Sequence, residues 1–382
     1  MPVVAHSVSP FLFPTGSWVY TQLTSLRRYE ALVVCRRRKN REDYPFERVS
    51  SLDDFGVLRQ QWQRLRRALE GAYPFMVRAC RESQARLLHS HFAFQGWQDL
   101  GLARRCGLPH ATSFYGADIW RYSRQERWRQ RYRELFAHGQ RFLVEGNAMK
   151  RKVVELGCAP EKVTIQHLGV DVDKAAFRER RKAADGLVRV LASGRAVEKK
   201  GFEFGLRAFD RARRELPNLR LHLMLIAKND AEKALLERVR ALVRELDLES
   251  CVEFPPPRPY EEYRRALYDY HVFFAPSLHA SDGDAEGGAP VSILDMSATG
   301  MPIVGSDHCD IPEVAPHGVS GAIFREQDLD AAAQALLAVA GAPERWSQWG
   351  RAGRAHVERE YSLARQFARL EELYDELVGR PA

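Results

Sequence analysis

Residues 188–201 read VRVLASGRAVEKKG, an apolar run that ends in a glycine turn carrying several basic side chains. The apolar run predicts a buried strand, and Gly201 followed by Phe202 predicts the start of a helix. In open parallel sheets, ligands bind beyond the carboxyl ends of the strands, where strand-to-helix loops of this kind converge. The stretch therefore predicts an α/β fold and places Arg195 and Lys200 at the ligand-binding edge of a sheet.

The same alternation of short apolar runs and amphipathic stretches extends along the chain in two series. Strands are predicted at 31–35, 86–89, 142–144 and 163–165, then at 188–192, 221–226, 251–254, 272–275 and 303–305, with helices at 55–84, 123–138 and 147–157. A charged bridge at 174–186 separates the two series. We therefore predict two Rossmann-like, doubly wound domains at 1–173 and 174–360, with a C-terminal helix in 361–382 that packs back on the first domain.

Composition narrows the class of protein without choosing a function. The 382 residues and 45% hydrophobic content suit a two-domain globular protein, and the net charge of +8 indicates an anionic partner: a nucleic acid, an anionic membrane surface or a phosphorylated ligand. The six cysteines have no paired spacing, and no apolar run is long enough to cross a bilayer. We expect a cytoplasmic protein, soluble or peripheral on the inner face of the cell membrane.

The cations of the 194–201 segment suit a phosphate group. Backbone N–H groups at a helix start favour a bound anion, and unit charges about 4 Å apart near a protein surface attract by roughly 4 kcal/mol. Arg195 and Lys200 would therefore stabilise a departing diphosphate. The alternative interpretation is that Lys199 and Lys200 form a solvated helix start, because short basic clusters are common.

A second informative segment, residues 281–290, reads SDGDAEGGAP and precedes a predicted helix at 291–298. Its glycines let the backbone approach a ligand, and a carboxylate such as Asp295 accepts two hydrogen bonds from a vicinal diol. Glu286, at the tip of the loop, would lie closer than Asp295 to the sugar that reacts, if the ligand carries one. Alternatively these acids cap a helix or bind a cation, although the regular spacing of a calcium loop is missing. Basic side chains that bind phosphates, together with carboxylates that bind diols, indicate a binding site for a nucleotide sugar.

Several motifs, taken in their order and spacing, are similar to those of one known family. They are residues 194–201, EGGAP at 286–290 with Asp295, ATGMPIV at 298–304, DIPEV at 310–314 and HLGVD at 167–171. The chain resembles the retaining glycosyltransferases of family 4 with the GT-B fold, especially those of bacterial exopolysaccharide and colanic-acid synthesis. The resemblance implies two Rossmann-like domains with an interdomain cleft, a UDP- or GDP-sugar donor held mostly by the C-terminal domain, an acceptor held mainly by the N-terminal domain, and no essential metal.

The motifs and the resemblance together assign roles to individual residues. Catalytic roles fall to Arg195, Lys200, Glu286 and Tyr115, and donor binding to Gly16, Gly194, Gly287, Gly288, Ala289, Pro290 and Asp295. Among the carboxylates, Glu286 is expected to orient the sugar and Asp295 to hold the ribose. For Gly16, an ordinary helix start is an equal alternative.

Two departures from the family pattern bear on mechanism. The family usually places two glutamates eight positions apart, whereas Glu286 and Asp295 are nine apart and the second acid is shorter, so the loop between them must bulge. Tyr115 stands where the family commonly has a histidine that contacts the donor sugar. With a reference pKa of about 10, tyrosine is a poor base at neutral pH. We expect Tyr115 to position a substrate rather than to abstract a proton.

Polar residues of the N-terminal half are candidates for the acceptor side. His89 and His91 end a predicted strand, but two imidazoles without a clear carboxylate or cysteine partner are weak evidence for a metal. We predict no metal site and assign His91 to the core or to the acceptor. Asp118, three residues after Tyr115, is the second acceptor-side candidate.

The N-terminal half also carries basic clusters. They are Arg27 with Arg28, the run 36–41, and Trp62 with Arg64, Arg66 and Arg67. Each basic residue near an anionic bilayer contributes about 1 kcal/mol, so these clusters could hold the protein on a membrane. Solvated helix faces are the alternative, and the aromatic residues are too sparse to indicate a nucleic-acid surface.

These features predict an enzyme that moves a hexose-type sugar from a UDP- or GDP-sugar to a hydroxyl acceptor, a lipid-linked glycan in cell-surface polysaccharide synthesis. Since no enzymic base is evident, the resemblance implies same-face attack in which the departing phosphate oxygen takes the acceptor proton. Two alternatives are a nucleotide-sugar 2-epimerase of the same architecture, which needs no acceptor, and a basic nucleic-acid-binding protein. The order of the motifs disfavours both.

Overall fold

The computed structural model describes residues 1–12, 17–42, 44–256, 258, 260–288 and 290–379. Contacts divide the chain into two units: unit 1 contains Met1–Gly169 and Leu363–Ala382, and unit 2 contains Val170–Ser362. Each unit is built on one parallel sheet with helices on both faces. Among the described helices, none combines the length and the apolar composition that a membrane span requires.

Unit 1 contains a seven-stranded parallel sheet in the order β3-β2-β1-β4-β5-β6-β7. Its strands are β1 Val3–Ser7, β2 Glu30–Cys35, β3 Val49–Ser51, β4 Ala85–His91, β5 His110–Ser113, β6 Arg141–Val144 and β7 Val163–Ile165. Its first helices are α1 Ser17–Ser25, α2 Val57–Glu70, α3 Pro74–Glu82, α4 Ala93–Cys106, α5 Ala117–Trp120, α6 Glu126–His138 and α7 Asn147–Glu155. The direction of winding reverses between β1 and β4, which is where ligands bind in such sheets.

Unit 2 repeats this plan with six parallel strands in the order β10-β9-β8-β11-β12-β13. The strands are β8 Val188–Arg195, β9 Leu219–Ile226, β10 Val252–Glu253, β11 Val272–Ala275, β12 Ile303–Ser306 and β13 Gly321–Phe324. The helices are α8 Phe202–Glu215, α9 Asp230–Glu245, α10 Tyr260–Ala266, α11 Val291–Ala298, α12 Ile311–Val314, α13 Leu329–Ala340 and α14 Pro343–Tyr361. Here the winding reverses between β8 and β11.

The central strand of unit 2 shows why its sequence is apolar on both sides. Val190 belongs to a buried cluster on one face of the sheet, with Phe209 of α8, whereas Leu191 belongs to a cluster on the other face, with Ile293 of α11. Parallel strands covered by helices on both faces read as continuous apolar runs. This double burial fixes β8 and therefore the position of the loop that follows it.

The last helix, α15 Leu363–Val378, belongs to unit 1. Its Tyr374 is fully buried, and the Tyr374 hydroxyl lies 2.6 Å from Nδ1 of His89 on β4. Asp375 accepts a hydrogen bond from the Tyr29 hydroxyl at 2.6 Å, and Glu371 accepts the backbone N–H of Arg28 at 2.6 Å. Residues from the two ends of the chain therefore complete one core.

The predicted two parallel Rossmann-like sheets are confirmed. The helix predicted at 55–84 is instead two helices, because Gly71, with φ +77°, ends α2 and Pro74 begins α3. Strands β1, β3, β5 and β13 were not among the predicted strands. For β5, with the sequence HATS, the reason is that it has no apolar run and that its buried polar side chains depend on partners elsewhere in the fold.

Candidate functional site

The two segments singled out in the sequence meet at the carboxyl edge of the unit 2 sheet. One follows β8 and the other follows β11, the strands between which the winding reverses. The backbone N–H of Leu278 donates to the carbonyl oxygen of Lys199 at 2.9 Å. Both the backbone N–H and the hydroxyl of Ser281 donate to the carboxylate of Glu198, at 2.9 and 2.7 Å. These contacts hold the basic and acidic loops together.

Glycines allow this close approach. Gly201 has φ +65°, and a Cβ atom at this position would lie 1.9 Å from the carbonyl oxygen of Pro276, in the loop after β11. Gly194 has φ +150°, and a Cβ atom there would lie 3.2 Å from Cε of Lys200. A larger residue at Gly201 would therefore separate the two loops.

Lys200 and Glu286 form an ion pair at the centre of the site. Nζ of Lys200 lies 2.8 Å from Oε1 of Glu286, whose side chain is 6% exposed, and the Ser277 hydroxyl donates to the same oxygen at 2.9 Å. Burial alone would raise the pKa of Glu286, but Lys200 and Lys199 outweigh it and hold this pKa below its usual value. Glu286 is therefore an ionised carboxylate at neutral pH.

The neighbouring Lys199 is also engaged. Its Nζ lies 3.2 Å from Oδ2 of Asp284 and donates to the carbonyl oxygen of Ala285 at 2.7 Å. Both lysine side chains are largely buried. A solvated helix start is therefore the wrong interpretation of this pair.

Arg195 lies at the end of β8 and is directed to a different partner. Its Nε and Nη2 donate to Oε1 of Glu232, on the first turn of α9, at 3.0 and 2.6 Å. Glu232 is buried and also accepts the backbone N–H of Lys228 at 2.7 Å, whereas the Arg195 side chain is 46% exposed. The structure thus brings Lys200 and Glu286 together and ties Arg195 to α9.

A small pocket adjoins the ion pair. Its lining includes Ser193, Lys200, Ser277, Pro290 and Ser292. The two glycines before Pro290, Gly287 and Gly288, are buried, and Gly287 has φ +86°. The candidates Ala289 and, in unit 1, Gly16 lie outside the described residues. The pocket therefore combines a cation, hydroxyls and a turn of backbone, which suits a phosphate-bearing ligand.

Asp295 lies one turn further along α11 than Ser292 and lines a second pocket of unit 2. Arg264, Lys174 and Tyr263 also line this second pocket. Burial raises the pKa of Asp295 to about 7, against a smaller opposite effect of Arg264. Ser292 and Asp295 are three residues apart on α11 and therefore share one face of this helix.

His308 supports the acidic loop and was missed from the sequence. Its buried Nε2 lies 3.1 Å from the backbone nitrogen of Glu286, and its Nδ1 lies 2.9 Å from Oε2 of Glu326. A backbone N–H can only donate, so Nε2 accepts and Nδ1 carries the proton that is donated to Glu326. His279 contacts the same carboxylate at 3.0 Å. Since His308 follows a predicted strand, the strand-end rule could have selected it.

Three histidines lie together at the carboxyl edge of the unit 1 sheet. His6 at the end of β1 and His89 and His91 at the end of β4 are fully buried, and their nitrogens lie close enough to share a metal ion. Protein groups contact these rings: Nδ1 of His6 lies 3.1 Å from Nε2 of His91, and Nε2 of His89 lies 2.8 Å from the Ser113 hydroxyl. Burial lowers the pKa of His91 to about 3. This cluster is uncharged at neutral pH.

Tyr115 extends the cluster. Its hydroxyl lies 2.7 Å from Nδ1 of His91, and its ring packs against Phe92 and Trp18, with centroid separations of 4.8 and 5.8 Å. Burial raises the pKa of Tyr115 well above its usual value. The phenol is therefore a hydrogen-bonding group at every physiological pH.

Asp118 anchors the loop around Tyr115. Its carboxylate accepts backbone N–H groups from Tyr115 at 3.1 Å, Gly116 at 3.0 Å and Ala93 at 3.0 Å, and it is buried. Burial raises its pKa to about 6 in spite of these contacts. They give Asp118 a structural role, whereas a contact of Asp118 with an acceptor stays a prediction.

The two parallel-sheet units define a class of protein, the GT-B architecture. The solved structure of HepE from Anabaena in complex with UDP has a TM-score of 0.77 to this chain, at 13% sequence identity, and the match covers 98% of this chain and 100% of that one. At this identity, the likeness shows the fold.

Two family models match the chain: "Glycosyltransferase Family 4" over residues 19–174 and "Glycosyl transferases group 1" over residues 188–341. Together they account for most of its length. The chain belongs to the family 4 glycosyltransferases.

Two relatives act in bacterial polysaccharide synthesis according to their names. The amylovoran biosynthesis glycosyltransferase AmsK of Erwinia amylovora is 32% identical over 70% of this chain and 64% of its own length. The putative colanic acid biosynthesis glycosyltransferase WcaL of Salmonella typhimurium is 30% identical over 59% of this chain and 54% of its own length. The chain thus spans between about half and two thirds of these relatives.

Proposed function

We propose that this chain is a retaining glycosyltransferase that moves a hexose-type sugar from a UDP- or GDP-sugar to a hydroxyl of a growing, lipid-linked polysaccharide precursor. The observation that carries the proposal is the buried Lys200–Glu286 pair, held where the unit 2 sheet reverses its winding. This edge is where an α/β sheet binds nucleotides. The names of AmsK and WcaL support a role in exopolysaccharide synthesis.

The two partners of the ion pair have different roles in binding a sugar diphosphate. Lys200, with Lys199 beside it, supplies positive charge where negative charge develops on the leaving diphosphate. A preorganised cation in a largely dry site stabilises such charge more than water does. The ionised Glu286 accepts hydrogen bonds from sugar hydroxyls, and Asp295 accepts those of the ribose. Arg195 adds positive charge at the rim.

The polar cluster of unit 1 supports a mechanism without an enzymic base. A general base works best with a pKa near the operating pH, whereas the pKa of His91 is about 3 and that of Tyr115 is raised. In the proposed reaction, the acceptor oxygen attacks the anomeric carbon on the face that the diphosphate leaves. The C–O bond to the diphosphate breaks, and a phosphate oxygen takes the acceptor's proton. Tyr115 and His91 position hydroxyl groups.

We propose further that the donor is held without a metal ion. The positive charges of Lys199 and Lys200 support this, because they can offset the diphosphate charge that a divalent cation would otherwise balance. The UDP in the HepE complex supports a nucleoside diphosphate as the ligand of this fold.

The test is a ligand screen followed by a turnover assay. A ligand that binds only the folded state at 100 times its Kd stabilises it by about 2.7 kcal/mol. We expect the melting temperature to rise with UDP- or GDP-sugars, with and without EDTA, and to rise much less for Lys200→Met. NMR of the product should show the anomeric configuration of the donor. Epimerisation of a UDP-sugar without acceptor, or salt-dependent nucleic-acid binding without any nucleotide effect, would overturn the proposal.

A further inference from the structure

Helix α2 of unit 1 turns its apolar side toward solvent. Leu58, Trp62, Leu65 and Leu69 are all exposed, Leu58 by 82% and Leu69 by 74%. Their spacing of four, three and four residues places them in one stripe along the helix. At 1.5 Å per residue, the stripe runs for about 16 Å. Exposed leucines are ordinary one at a time, but a continuous stripe with a tryptophan indicates a surface that is covered in use.

The inward side of α2 is polar. All residues of α2 are described, and of these Gln63 alone is buried; its side-chain oxygen accepts the backbone N–H of Phe75 at 3.1 Å. Glu70, at the end of the helix, forms ion pairs with Arg66 and with Arg105. The helix is thus attached to unit 1 by polar contacts, and none of its apolar residues belongs to a described buried cluster of this unit. This is the reverse of an ordinary surface helix.

Arginines flank the apolar stripe on both sides. By helical position, Arg59 and Arg66 lie along one edge of the stripe and Arg64 lies further round the helix on the opposite side, and the Arg66 guanidinium lies 5.2 Å from the centre of the Trp62 ring. Arg59 and Arg64 are exposed. An apolar stripe bordered by cations and carrying an aromatic ring is complementary to a layer of anionic headgroups above hydrocarbon.

We propose that α2 docks unit 1 on an anionic lipid bilayer, with the leucines and Trp62 at the level of the acyl-chain boundary and the arginines among the phosphates. The inference extends the proposed function, since a lipid-linked acceptor is presented at such a surface. The helix lies in the plane of the interface and does not span it. Docking acts on the acceptor side and leaves the donor site of unit 2 unchanged.

The experiment is co-sedimentation with vesicles of phosphatidylcholine alone or mixed with phosphatidylglycerol. The wild-type chain should bind the mixed vesicles and much less the neutral ones. Leu65→Ser/Leu69→Ser should weaken binding at least about tenfold, because two buried leucines are lost. Arg59→Gln/Arg64→Gln should weaken it about 30-fold at low salt and little at high salt. Val319→Ser, at an exposed position of unit 2, is the matched control and should bind like wild type.

Several outcomes would overturn the docking proposal. These are an absence of vesicle binding by the wild-type chain, undiminished binding by Leu65→Ser/Leu69→Ser, and a wild-type dimer in analytical ultracentrifugation that this double variant dissociates. The last would show that the stripe joins two copies. All variants should keep wild-type melting temperatures and donor binding. Normal donor binding with failed docking refutes only the membrane surface, whereas docking without any nucleotide effect refutes the proposed donor site.

Discussion

The two sheets share one strand order, yet the edges where their winding reverses have opposite chemistry. In unit 2 this edge holds fixed charges, with Lys200 paired to an ionised Glu286. In unit 1 it holds neutral rings, with His6, His91 and Tyr115 in a hydrogen-bonded series. The same topology therefore builds an edge with fixed charges in one unit and an edge with uncharged polar rings in the other.

It follows that the residues at the strand ends, and not the sheet itself, decide what such a fold binds. A buried ion pair retains charge because each partner compensates the other's loss of water. A buried imidazole without an acidic neighbour loses its extra proton, and the neutral ring then donates one hydrogen bond and accepts another. Each edge can therefore be tested by its own kind of perturbation.

The largest expected effect comes from removing the cation of unit 2. Lys200→Ala should lower kcat/KM by about 10² to 10³-fold, as is typical when a charge-stabilising group is lost from a transition state. It should also destabilise the fold by roughly 3 kcal/mol, because Glu286 is left buried and unpaired. Steady-state kinetics and denaturant unfolding measure the two effects.

The double variant Lys200→Met/Glu286→Gln separates the two effects of Lys200→Ala. It should regain most of the lost stability, since no buried charge remains, and none of the turnover. A double variant with restored turnover would show that the pair has a structural role only, and the contrast between the two edges would disappear.

The second effect is an acid sensitivity of unit 1. His91 has a folded pKa of about 3 against an ordinary value near 6.5, so its neutral form stabilises the fold above about pH 6.5, and this stability is lost as the pH falls toward 3. The loss amounts to about 2 kcal/mol per such imidazole between pH 7 and 5. The free energy of unfolding should therefore decrease over this range, and its slope against pH should be shallower for His91→Gln.

The slope against pH, and not the absolute stability, is the relevant measure for His91→Gln. Asp118, with a pKa of about 6, works in the opposite direction, because it binds a proton in the folded state first. It is present in both proteins, so its contribution cancels in the comparison. Equal slopes for wild type and variant would contradict a neutral, buried His91.

A further effect is expected at Asp295, a buried carboxylate of unit 2 on whose pKa burial outweighs Arg264. Its folded pKa of about 7 lies above the ordinary value of 3.8, so the stability of the fold decreases as the pH rises from about 4 to 7 and stays at its lowest above pH 7. Asp295→Asn should therefore stabilise the apoprotein more at pH 8 than at pH 5, by a difference of about 2 kcal/mol. Melting temperatures of wild type and variant at pH 5 and pH 8 measure this difference. A stabilisation at pH 5 alone would contradict the raised pKa of Asp295. Donor binding should weaken in the same variant.

The smallest effect is expected at Arg195, because Glu232 holds its guanidinium at the rim. Arg195→Ala should lower kcat/KM by about tenfold, the equivalent of one partly screened charge interaction. Arg195→Lys is the matched control and should recover part of the loss. If Arg195→Ala lowered kcat/KM as much as Lys200→Ala, the guanidinium would have to leave Glu232 during the reaction. The Lys200–Glu286 pair would then not be the centre of the site.

The sequence was sufficient to predict the sheets and the meeting of the basic and acidic loops, because strand-end loops must share one edge of a parallel sheet. It was insufficient for contacts that depend on strand order. His6 reaches His91 only because β1 and β4 are neighbours, and Arg195 reaches Glu232 only because α9 begins beside the end of β8. His308 likewise depends on the path of the loop at Glu286.

The return of α15 to unit 1 affects how the protein is made. Tyr374 is fully buried against β4, although it is synthesised 285 residues after His89. Unit 2 is contiguous in the chain and can fold while the ribosome is still translating. Unit 1 cannot close its core until α15 has been synthesised, so a nascent chain can contain a folded unit 2 while unit 1 is still incomplete.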